Sequence, residues 1–317
     1  MKAMVDGIWH TDAQPTPEWR AAAERARFSG RISADGSSGF AAEPGRYHLY
    51  ISYACPFAHR TLLARRLLGL EGAISLSVLD PDWSGPDGWV FNDGPLATPD
   101  HVNGCATLPE VYRLADPRFT GKVTVPVLWD RARGTIVNNE SAEIMRMLAT
   151  EFRAIGRPEV DLYPEPLRAE IDRLNAFVGP RINGGVYRAG FAATQEAYDA
   201  AVLDLFAALD VLEEQLSGRQ YLAGERLTEA DLRLFPTLIR FDVAYYGALR
   251  CNLRRLVEYP CLFAYTRRLY HLPGIAETVR LDHVKRHYWD DHAMINRRIV
   301  PIGPTLDLGE APTAAAA

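Results

Sequence analysis

Apolar residues along the chain first follow strand-like runs and helical spacing in turn, and then helical spacing alone. This change divides the sequence into a mixed half and a helical half. The elements predicted in the mixed half are a strand over 47–53, a helix over 56–68, a strand over 74–78, a short helix over 108–114, a strand pair over 123–130 and 135–138, and a helix over 140–152.

The order of these elements, βαβ followed by ββα, predicts a thioredoxin-like α/β domain over residues 46–155. A doubly wound nucleotide-binding fold would need further βα units and a glycine-rich turn after the first strand, and the sequence has neither. Glycine, proline and aspartate interrupt the pattern over 82–122. This stretch is expected to be an insertion over the surface, of the functional or mobile kind.

Beyond a proline-containing linker at 156–166, the apolar spacing is helical throughout, which predicts an all-α domain over residues 165–310. The helices indicated there cover 167–177, 195–216, 229–245, 253–256 and 260–271. Thr228 and Asp231 stand in the positions of a capping box, which marks the start of one of these helices.

The two ends of the chain carry weaker patterns. Residues 1–45 are rich in glycine, serine and charge, which predicts an extended arm with little regular structure. Residues 311–317 are predicted to form a disordered tail.

Composition limits the classes of function. The 317 residues carry a formal net charge of −5, which offers no general attraction to nucleic acid or to anionic membranes. Residues 1–20 contain no apolar core of signal-peptide length, and no later stretch approaches the ~20 apolar residues of a membrane span. The four cysteines form no close pair and no zinc-binding spacing. Reduced thiols, a cytoplasmic location and a metal-free protein are therefore expected.

The most informative chemistry lies at Cys55, which follows a predicted strand and is followed at once by Pro56 and a helical pattern. Proline suits the first helical position, and the N–H groups and dipole of a helix N-terminus favour the nucleophilic thiolate. Ala58 stands where a redox CxxC pair has its second cysteine, so an outside thiol such as glutathione must resolve any disulfide at Cys55. These residues alone fit either a monothiol redox site or a buried apolar cysteine.

A thioredoxin-like half joined to a helical half with a capping box resembles the glutathione transferases, and the cysteine at the strand–helix junction points to their omega-like branch. Longer strings resemble more narrowly the glutathionyl-hydroquinone reductases, also called Xi-class glutathione transferases. The strings lie in unbroken order within residues 40–304, at 47–62, 123–130, 135–144, 183–192, 227–231, 240–242, 251–255 and 283–288.

The resemblance implies glutathione-binding residues in the first half. It implies that the bond from Val125 to Pro126 is cis and that the backbone of Val125 pairs with the cysteinyl part of glutathione; the alternative is a strand-edge proline without a ligand role. Glu140 and Ser141 open a helix, and a carboxylate, a hydroxyl and helix N–H groups suit the charged γ-glutamyl end. Simple helix capping would use the same residue types.

The resemblance also implies that Trp89, in the insertion, closes over glutathione and that Lys122 faces its glycyl carboxylate. Alternatively, Trp89 anchors the insertion to the core. Family members usually have arginine at position 122, and lysine keeps the charge but loses the bidentate fork.

In the helical half, the resemblance implies that the hydroxyls of Tyr187 and Tyr288 contact the oxygens of an aromatic diol. Without it, both would be read as ordinary helix-surface tyrosines. The chain departs from the family pattern around this pocket, with Phe57 where tryptophan is usual, Trp289 where a second tyrosine is common, Asp290-Asp291 where residues are less charged, and Asn296-Arg297 where Asn-Pro is common.

The remaining candidates have weaker signals. His59 lies one helical turn from Cys55 and either tunes the thiolate or has only a packing or solvent role. Arg60 is expected to make a structural or interdomain ion pair. The other three cysteines lack a charge cluster or a helix start and are read as bystanders; they are Cys105, Cys251 and Cys261.

The implied reaction converts a glutathionyl-hydroquinone and a second glutathione to hydroquinone and glutathione disulfide, through a mixed disulfide at Cys55. The resemblance further implies a homodimer. Three other functions stay open: an omega-like thioltransferase or dehydroascorbate reductase, a conjugating transferase, and a non-enzymatic module. The tyrosine-bearing strings 183–192 and 283–288 favour a quinol substrate, and Cys55 disfavours conjugation because it would form a disulfide with glutathione.

Overall fold

The computed structural model describes residues 1–289 and 299–310. The chain divides into two compact units, Met1–Glu159 and Val160–Ala317, so the predicted linker spans their boundary. None of the helices within the described residues is long and apolar enough to cross a membrane. The predicted tail and the family departures at 290–291 and 296–297 lie outside the described residues.

The N-terminal arm contains more regular structure than its composition predicts. Strands β1 (Ala3–Val5) and β2 (Ile8–His10) form a hairpin, and helix α1 covers Pro17–Arg25. The hydroxyl of Thr16 caps α1 by accepting the N–H of Trp19 at 3.2 Å. The prediction of little regular structure is therefore wrong for these segments. A threonine cap followed by proline is a local helix signal that outweighs the polar composition around it.

A four-stranded sheet forms the centre of the first unit. Strand β3 (Tyr47–Ile51) pairs in parallel with β4 (Ile74–Val78) and antiparallel with β5 (Val127–Asp130), which pairs antiparallel with β6 (Thr135–Asn138). The strand order is β4-β3-β5-β6, which confirms the predicted thioredoxin-like order. Every residue of β3 is buried, as expected for a central strand.

The bond between Val125 and Pro126 is cis, as predicted. Strand β5 begins directly after this proline, at Val127, and not at residue 123. Because proline has no N–H to donate to a neighbouring strand, the regular ladder starts only beyond it.

Three helices complete the first unit. They are α2 (Pro56–Leu67), α3 (Leu108–Ala115) and α4 (Ser141–Glu151), and α2 packs against α4. Each lies within two residues of its predicted position, since caps and prolines at their starts are local signals.

The second unit is helical, as predicted. Its helices are α5 (Arg168–Val178), α6 (Gly185–Gly190), α7 (Gln195–Leu216), α8 (Glu229–Leu238), α9 (Tyr246–Ala248), α10 (Pro260–Tyr270) and α11 (Leu281–His287). Two π-helical turns, Gly179–Asn183 and Phe241–Tyr245, lie between them.

Two predicted helices of this unit differ from the structure. The predicted 229–245 helix ends at Leu238, and a π-helical turn carries the chain on to Tyr245. Pro236 lies inside α8 and removes a backbone donor, which weakens the helix before the turn. The predicted helix over 253–256 is only a single 3-10 turn, Leu256–Glu258.

Candidate active site

Cys55 occupies the N-cap position of α2, so the prediction of a thiol at a helix start is confirmed. Its Sγ atom accepts the backbone N–H of Ala58 at 3.5 Å and lies 3.6 Å from the carbonyl oxygen of Val125. The side chain is partly exposed. A helix N–H directed at sulfur stabilises negative charge on it, and partial exposure leaves the sulfur accessible to a small thiol.

The other three cysteines have different surroundings. Burial raises the pKa of the Cys251 thiol to about 12, and burial together with the charge of Asp100 raises the pKa of Cys105 to about 12. Desolvation and the nearby carboxylate of Glu213 raise the pKa of Cys261. These thiols therefore stay protonated at neutral pH, and their role as bystanders stays a prediction. The expectation that Cys261 lacks a helix start is wrong, because it is the second residue of α10.

The start of α4 carries two predicted binding residues. Glu140 is the N-cap, and its carboxylate accepts the N–H of Ala142 at 3.3 Å while remaining exposed. Ser141 is buried, and its hydroxyl lies 3.4 Å from Nη1 of Arg60, which comes from α2. The guanidinium of Arg60 also lies 4.7 Å from the ring centre of Phe57. Arg60 thus links the Cys55 helix to the start of α4.

Lys122 and Glu140 line one cleft of about 430 Å³, together with residues of the N-terminal arm. Lys122 is exposed, and its ammonium has no ion-pair partner among residues 1–289 and 299–310. A free cation and an exposed carboxylate in one cleft can bind a ligand that carries both signs of charge.

Trp89 is 7% exposed and lies with its ring centre 6.3 Å from that of Trp83. Its backbone carbonyl accepts the N–H of Leu108, the first residue of α3. This burial fits the anchoring of the insertion to the core, and a role in covering glutathione stays a prediction.

Tyr187 and Tyr288, which lie 101 positions apart in sequence, place their hydroxyl oxygens 2.5 Å apart. Tyr245 joins them, with its hydroxyl 3.4 Å from that of Tyr288 and the two rings edge to face at 5.1 Å. Tyr288 is 1% exposed, and burial, followed by Tyr187 and Tyr245, raises its pKa well above the ordinary value. Tyr288 therefore stays a neutral hydroxyl that can donate a proton or a hydrogen bond.

Position 289, where this chain has tryptophan and family members commonly have tyrosine, also lies in this region. The indole N–H of Trp289 donates to the carbonyl of Val243 at 3.1 Å. Its ring covers Gly247 so closely that a Cβ atom there would lie 2.5 Å from Cζ2 of the indole. Trp289 is thus accommodated because position 247 has no side chain.

Sequence reasoning missed three contributors to these sites. Tyr245 gave no signal, because it is one of fourteen tyrosines in the chain and stands in a stretch of ordinary helical spacing. Asn138, which is completely buried, accepts the N–H of Glu140 at 2.7 Å; it stands in a polar string at a helix start, which was a usable signal. Sequence reasoning also missed that the N-terminal arm forms one wall of the cleft, although Thr16 followed by Pro17 is a signal for the start of its helix. Among the described residues no cluster of three or more metal-ligating side chains occurs.

Comparisons with known proteins agree with this architecture. The family model of the glutathione S-transferase N-terminal domain matches residues 54–151, and that of the C-terminal domain matches residues 195–268. A relative in Sphingobium chlorophenolicum, glutathionyl-hydroquinone reductase PcpF, is 47% identical over 97% of this chain and 98% of its own length. An omega-like glutathione S-transferase 2 of Schizosaccharomyces pombe is 44% identical over 84% of this chain and 87% of its own.

Solved structures give the same result. A Xi-class glutathione transferase from Natrialba magadii superposes with a TM-score of 0.93 at 49% identity, over 99% of this chain and 96% of that one. The glutathione-bound structure of YqjG, a glutathione transferase homologue from Escherichia coli, superposes with a TM-score of 0.89 at 46% identity, over 97% of each chain.

Proposed function

The chain belongs to the glutathione transferases, within their Xi class of glutathionyl-hydroquinone reductases, and on this premise we propose that it reduces glutathionyl-hydroquinones with glutathione as co-substrate. The reaction consumes one glutathionyl-hydroquinone and one glutathione and releases one hydroquinone and one glutathione disulfide. A carbon–sulfur bond is broken and a sulfur–sulfur bond is formed, so the ring is reduced and the thiols are oxidised.

The observation that carries the proposal is the position of Cys55 Sγ, which lies between the N–H of Ala58 and the carbonyl of Val125 at the start of α2. The thiolate attacks the glutathionyl sulfur and forms a mixed disulfide. A second glutathione then attacks this disulfide and releases Cys55 by thiol–disulfide exchange. Since position 58 is alanine, no second cysteine of a CxxC pair competes with the incoming thiol.

A thioether carbon is a poor leaving group, but a quinol ring can become a better one. If the ring first tautomerises to a ketone, which places a proton on the carbon that carries sulfur, cleavage of the carbon–sulfur bond sends its electron pair to the ketone oxygen. The ring then leaves as an aromatic phenolate, whose oxygen afterwards takes up a proton. Tyr187 and Tyr288 are proposed to stabilise the developing charge on the ring oxygen and to assist this proton delivery. The short contact between their hydroxyls and the neutrality of Tyr288 support this role.

Glutathione is proposed to bind along the first unit. The backbone of Val125, next to cis-Pro126, pairs with the cysteinyl part, while Trp89 covers the ligand. Lys122 receives the glycyl carboxylate, whereas Glu140 and Ser141 receive the γ-glutamyl end. The exposed charges at 122 and 140, which line one cleft, support this assignment.

The scheme is tested by exposing the protein to a glutathionyl-hydroquinone without free glutathione and measuring the mass of the Cys55 peptide. One glutathione adduct on Cys55 is expected, and addition of glutathione should remove it. The Cys55→Ser variant should lose turnover, while Cys261→Ser, another partly exposed thiol, should retain it. Full turnover by Cys55→Ser would refute the mechanism.

A second candidate is an omega-like thioltransferase or dehydroascorbate reductase, because an omega-like relative covers most of the chain. It would use the same Cys55 with other acceptors. Rates on a glutathionyl-hydroquinone, a mixed disulfide and dehydroascorbate, compared on one preparation, decide between the two functions.

We further propose a homodimer that works in the cytoplasm and needs no bound metal. Free thiols at all four cysteines agree with a reducing compartment. No step of the scheme requires a Lewis acid, so chelator treatment should leave the rate unchanged. Light scattering at micromolar concentration measures the oligomeric state directly.

A further inference from the structure

The cleft that contains Lys122 and Glu140 has a second wall, which comes from the N-terminal arm. Its volume of about 430 Å³ suits a small ligand. The arm contributes Glu24, Arg27 and Phe28 to the lining, and none of these was among the residues expected to bind glutathione.

The arm is attached to the same backbone segment that positions Glu140. The N–H of Gly30 donates to the carbonyl of Val137 at 2.8 Å. The side-chain amide of Asn138 donates to the carbonyl of Gly30 at 3.1 Å and to Glu143 at 2.7 Å, and its oxygen accepts the N–H of Glu140. Asn138 is completely buried, so one side chain connects the arm to the start of α4.

Two arginines of the arm line this cleft, Arg20 and Arg27. The Nε atom of Arg20 donates to the carbonyl of Pro15 at 3.0 Å. Arg27 is the arginine that interacts with the charges of Glu140 and Glu143 at the start of α4. Its guanidinium pairs with Glu24 at 3.0 Å, but the two side chains are 57% and 73% exposed. An exposed pair of this kind contributes little free energy, so a ligand can replace it readily. Glu24, and then Glu140 and Glu143, raise the pKa of Arg27, which places it in the field of the acidic start of α4.

We propose that Arg27 binds the α-carboxylate of the γ-glutamyl end of glutathione, while Glu140 binds the α-ammonium on the same carbon. The inference rests on the proposed function, because it takes glutathione as the ligand of this site. An amino-acid group carries both charges on one carbon and requires a cation and an anion that face one cleft. Arginine also matches a carboxylate with two parallel hydrogen bonds.

This assignment makes the arm a part of the binding site. It also leaves Lys122, which has no ion-pair partner in the described part of the chain, for the glycyl carboxylate at the other end of the tripeptide. The arm thereby adds a cation to the γ-glutamyl site that Glu140 and Ser141 form.

The test compares two ligands that differ only in this carboxylate, namely glutathione and 4-aminobutyryl-cysteinyl-glycine. Calorimetric titration of the full chain under reducing conditions gives the affinity of each. Arg27→Ala should weaken binding of glutathione about fivefold and leave binding of the analogue unchanged. Arg27→Lys should restore part of the difference, since it keeps the charge but not the fork.

Arg25→Ala is the matched control. Arg25 is the last residue of α1, two positions before Arg27, and carries the same charge but does not line the cleft, so its loss should change neither affinity. Thermal unfolding of both variants checks that the arm remains folded. Equal weakening of both ligands by Arg27→Ala, no weakening of either, or an equal effect of Arg25→Ala would overturn the inference.

Binding is measured without turnover, so the two hypotheses can fail separately. Selective loss of glutathione binding in Arg27→Ala, in a protein that does not reduce glutathionyl-hydroquinones, supports the arm site and refutes the proposed function. Normal turnover of a glutathionyl-hydroquinone, together with unchanged glutathione binding in Arg27→Ala, supports the proposed function and refutes the arm site.

Discussion

The four cysteines of this chain have the same side chain but different surroundings. Cys55 faces a helix N–H and is partly exposed, whereas Cys251 is buried and Cys105 lies beside Asp100. A thiol with a pKa of about 12 has only about 1 part in 10⁴ or less as thiolate at pH 8. These differences in surroundings favour the thiolate form at Cys55 over the other three cysteines.

This difference predicts selective alkylation. Brief treatment with iodoacetamide near pH 7.5 should modify Cys55 well before Cys105, Cys251 or Cys261, as measured by peptide mass spectrometry. In urea, which unfolds the chain and removes these local surroundings, the four thiols should react at similar rates. Modification of Cys251 as fast as Cys55 in the folded protein would contradict this account.

At the scale of elements, caps and close contacts hold the second unit together. The carboxylate of Asp231, at the start of α8, accepts the N–H groups of Leu222 at 2.9 Å and Thr228 at 2.8 Å, and the hydroxyl of Tyr265 at 2.8 Å. This confirms the capping box and extends it, since Leu222 and Tyr265 lie outside the helix start. Asp231 is therefore a junction between three segments of chain.

Removal of this junction should be costly. Asp231→Ala leaves buried donors without an acceptor and should lower the free energy of unfolding by about 2–4 kcal/mol, measured by urea denaturation. The control is Asp199→Ala, which removes one exposed hydrogen bond to Gln195 and should change stability by less than about 0.5 kcal/mol. A loss as small in Asp231→Ala as in Asp199→Ala would show that the cap is dispensable.

The contact between Gly247 and Trp289 gives a second prediction at this scale. Gly247→Ala places a methyl group against the indole and should lower the free energy of unfolding by about 1–3 kcal/mol. In Gly247→Ala with Trp289→Phe, part of this loss should be recovered, because the smaller ring leaves room for the methyl group.

Gly72→Ala serves as the control glycine, since its added Cβ would meet no atom within 4 Å. It should be neutral or slightly stabilising, because alanine reduces the freedom of the unfolded chain. Chemical denaturation compares the three variants, and additive losses in the double variant would contradict the proposed clash.

At the scale of the whole molecule, the proposed chemistry is divided between the two units. The nucleophile Cys55 belongs to the first unit, and the tyrosine cluster, Tyr187, Tyr245 and Tyr288, belongs to the second. Thiol–disulfide exchange with a small disulfide needs only the cysteine and bound glutathione. Expulsion of a quinol ring also needs charge stabilisation on its oxygen.

The two reactions should therefore respond differently to one substitution. Tyr288→Phe should slow reduction of a glutathionyl-hydroquinone by about 100-fold, yet leave exchange with hydroxyethyl disulfide within about twofold. Cys55→Ser should abolish both. Steady-state rates on the two substrates measure the split, and an equal decrease in both would indicate that Tyr288 is only structural.

Several features could be predicted because their signals are local. The strand and helix order, the helix start at Cys55, the cis bond before Pro126 and the capping box at Thr228 each depend on a few neighbouring residues or on a resemblance carried by continuous strings. The end of α8 and the helix in the arm were harder to predict from sequence, because nearby proline and glycine signals competed with the apolar spacing.

By itself, then, the sequence determined the fold class, the element order and the position of Cys55 at the start of a helix, because helix caps and apolar periods act within one or two turns. Only the tertiary structure decided which distant side chains meet. Tyr245 reaches Tyr288 across 43 positions, and the arm meets the start of α4 through a bond from Asn138 to Gly30 across 108. Such contacts depend on how the chain closes on itself, which no local pattern specifies.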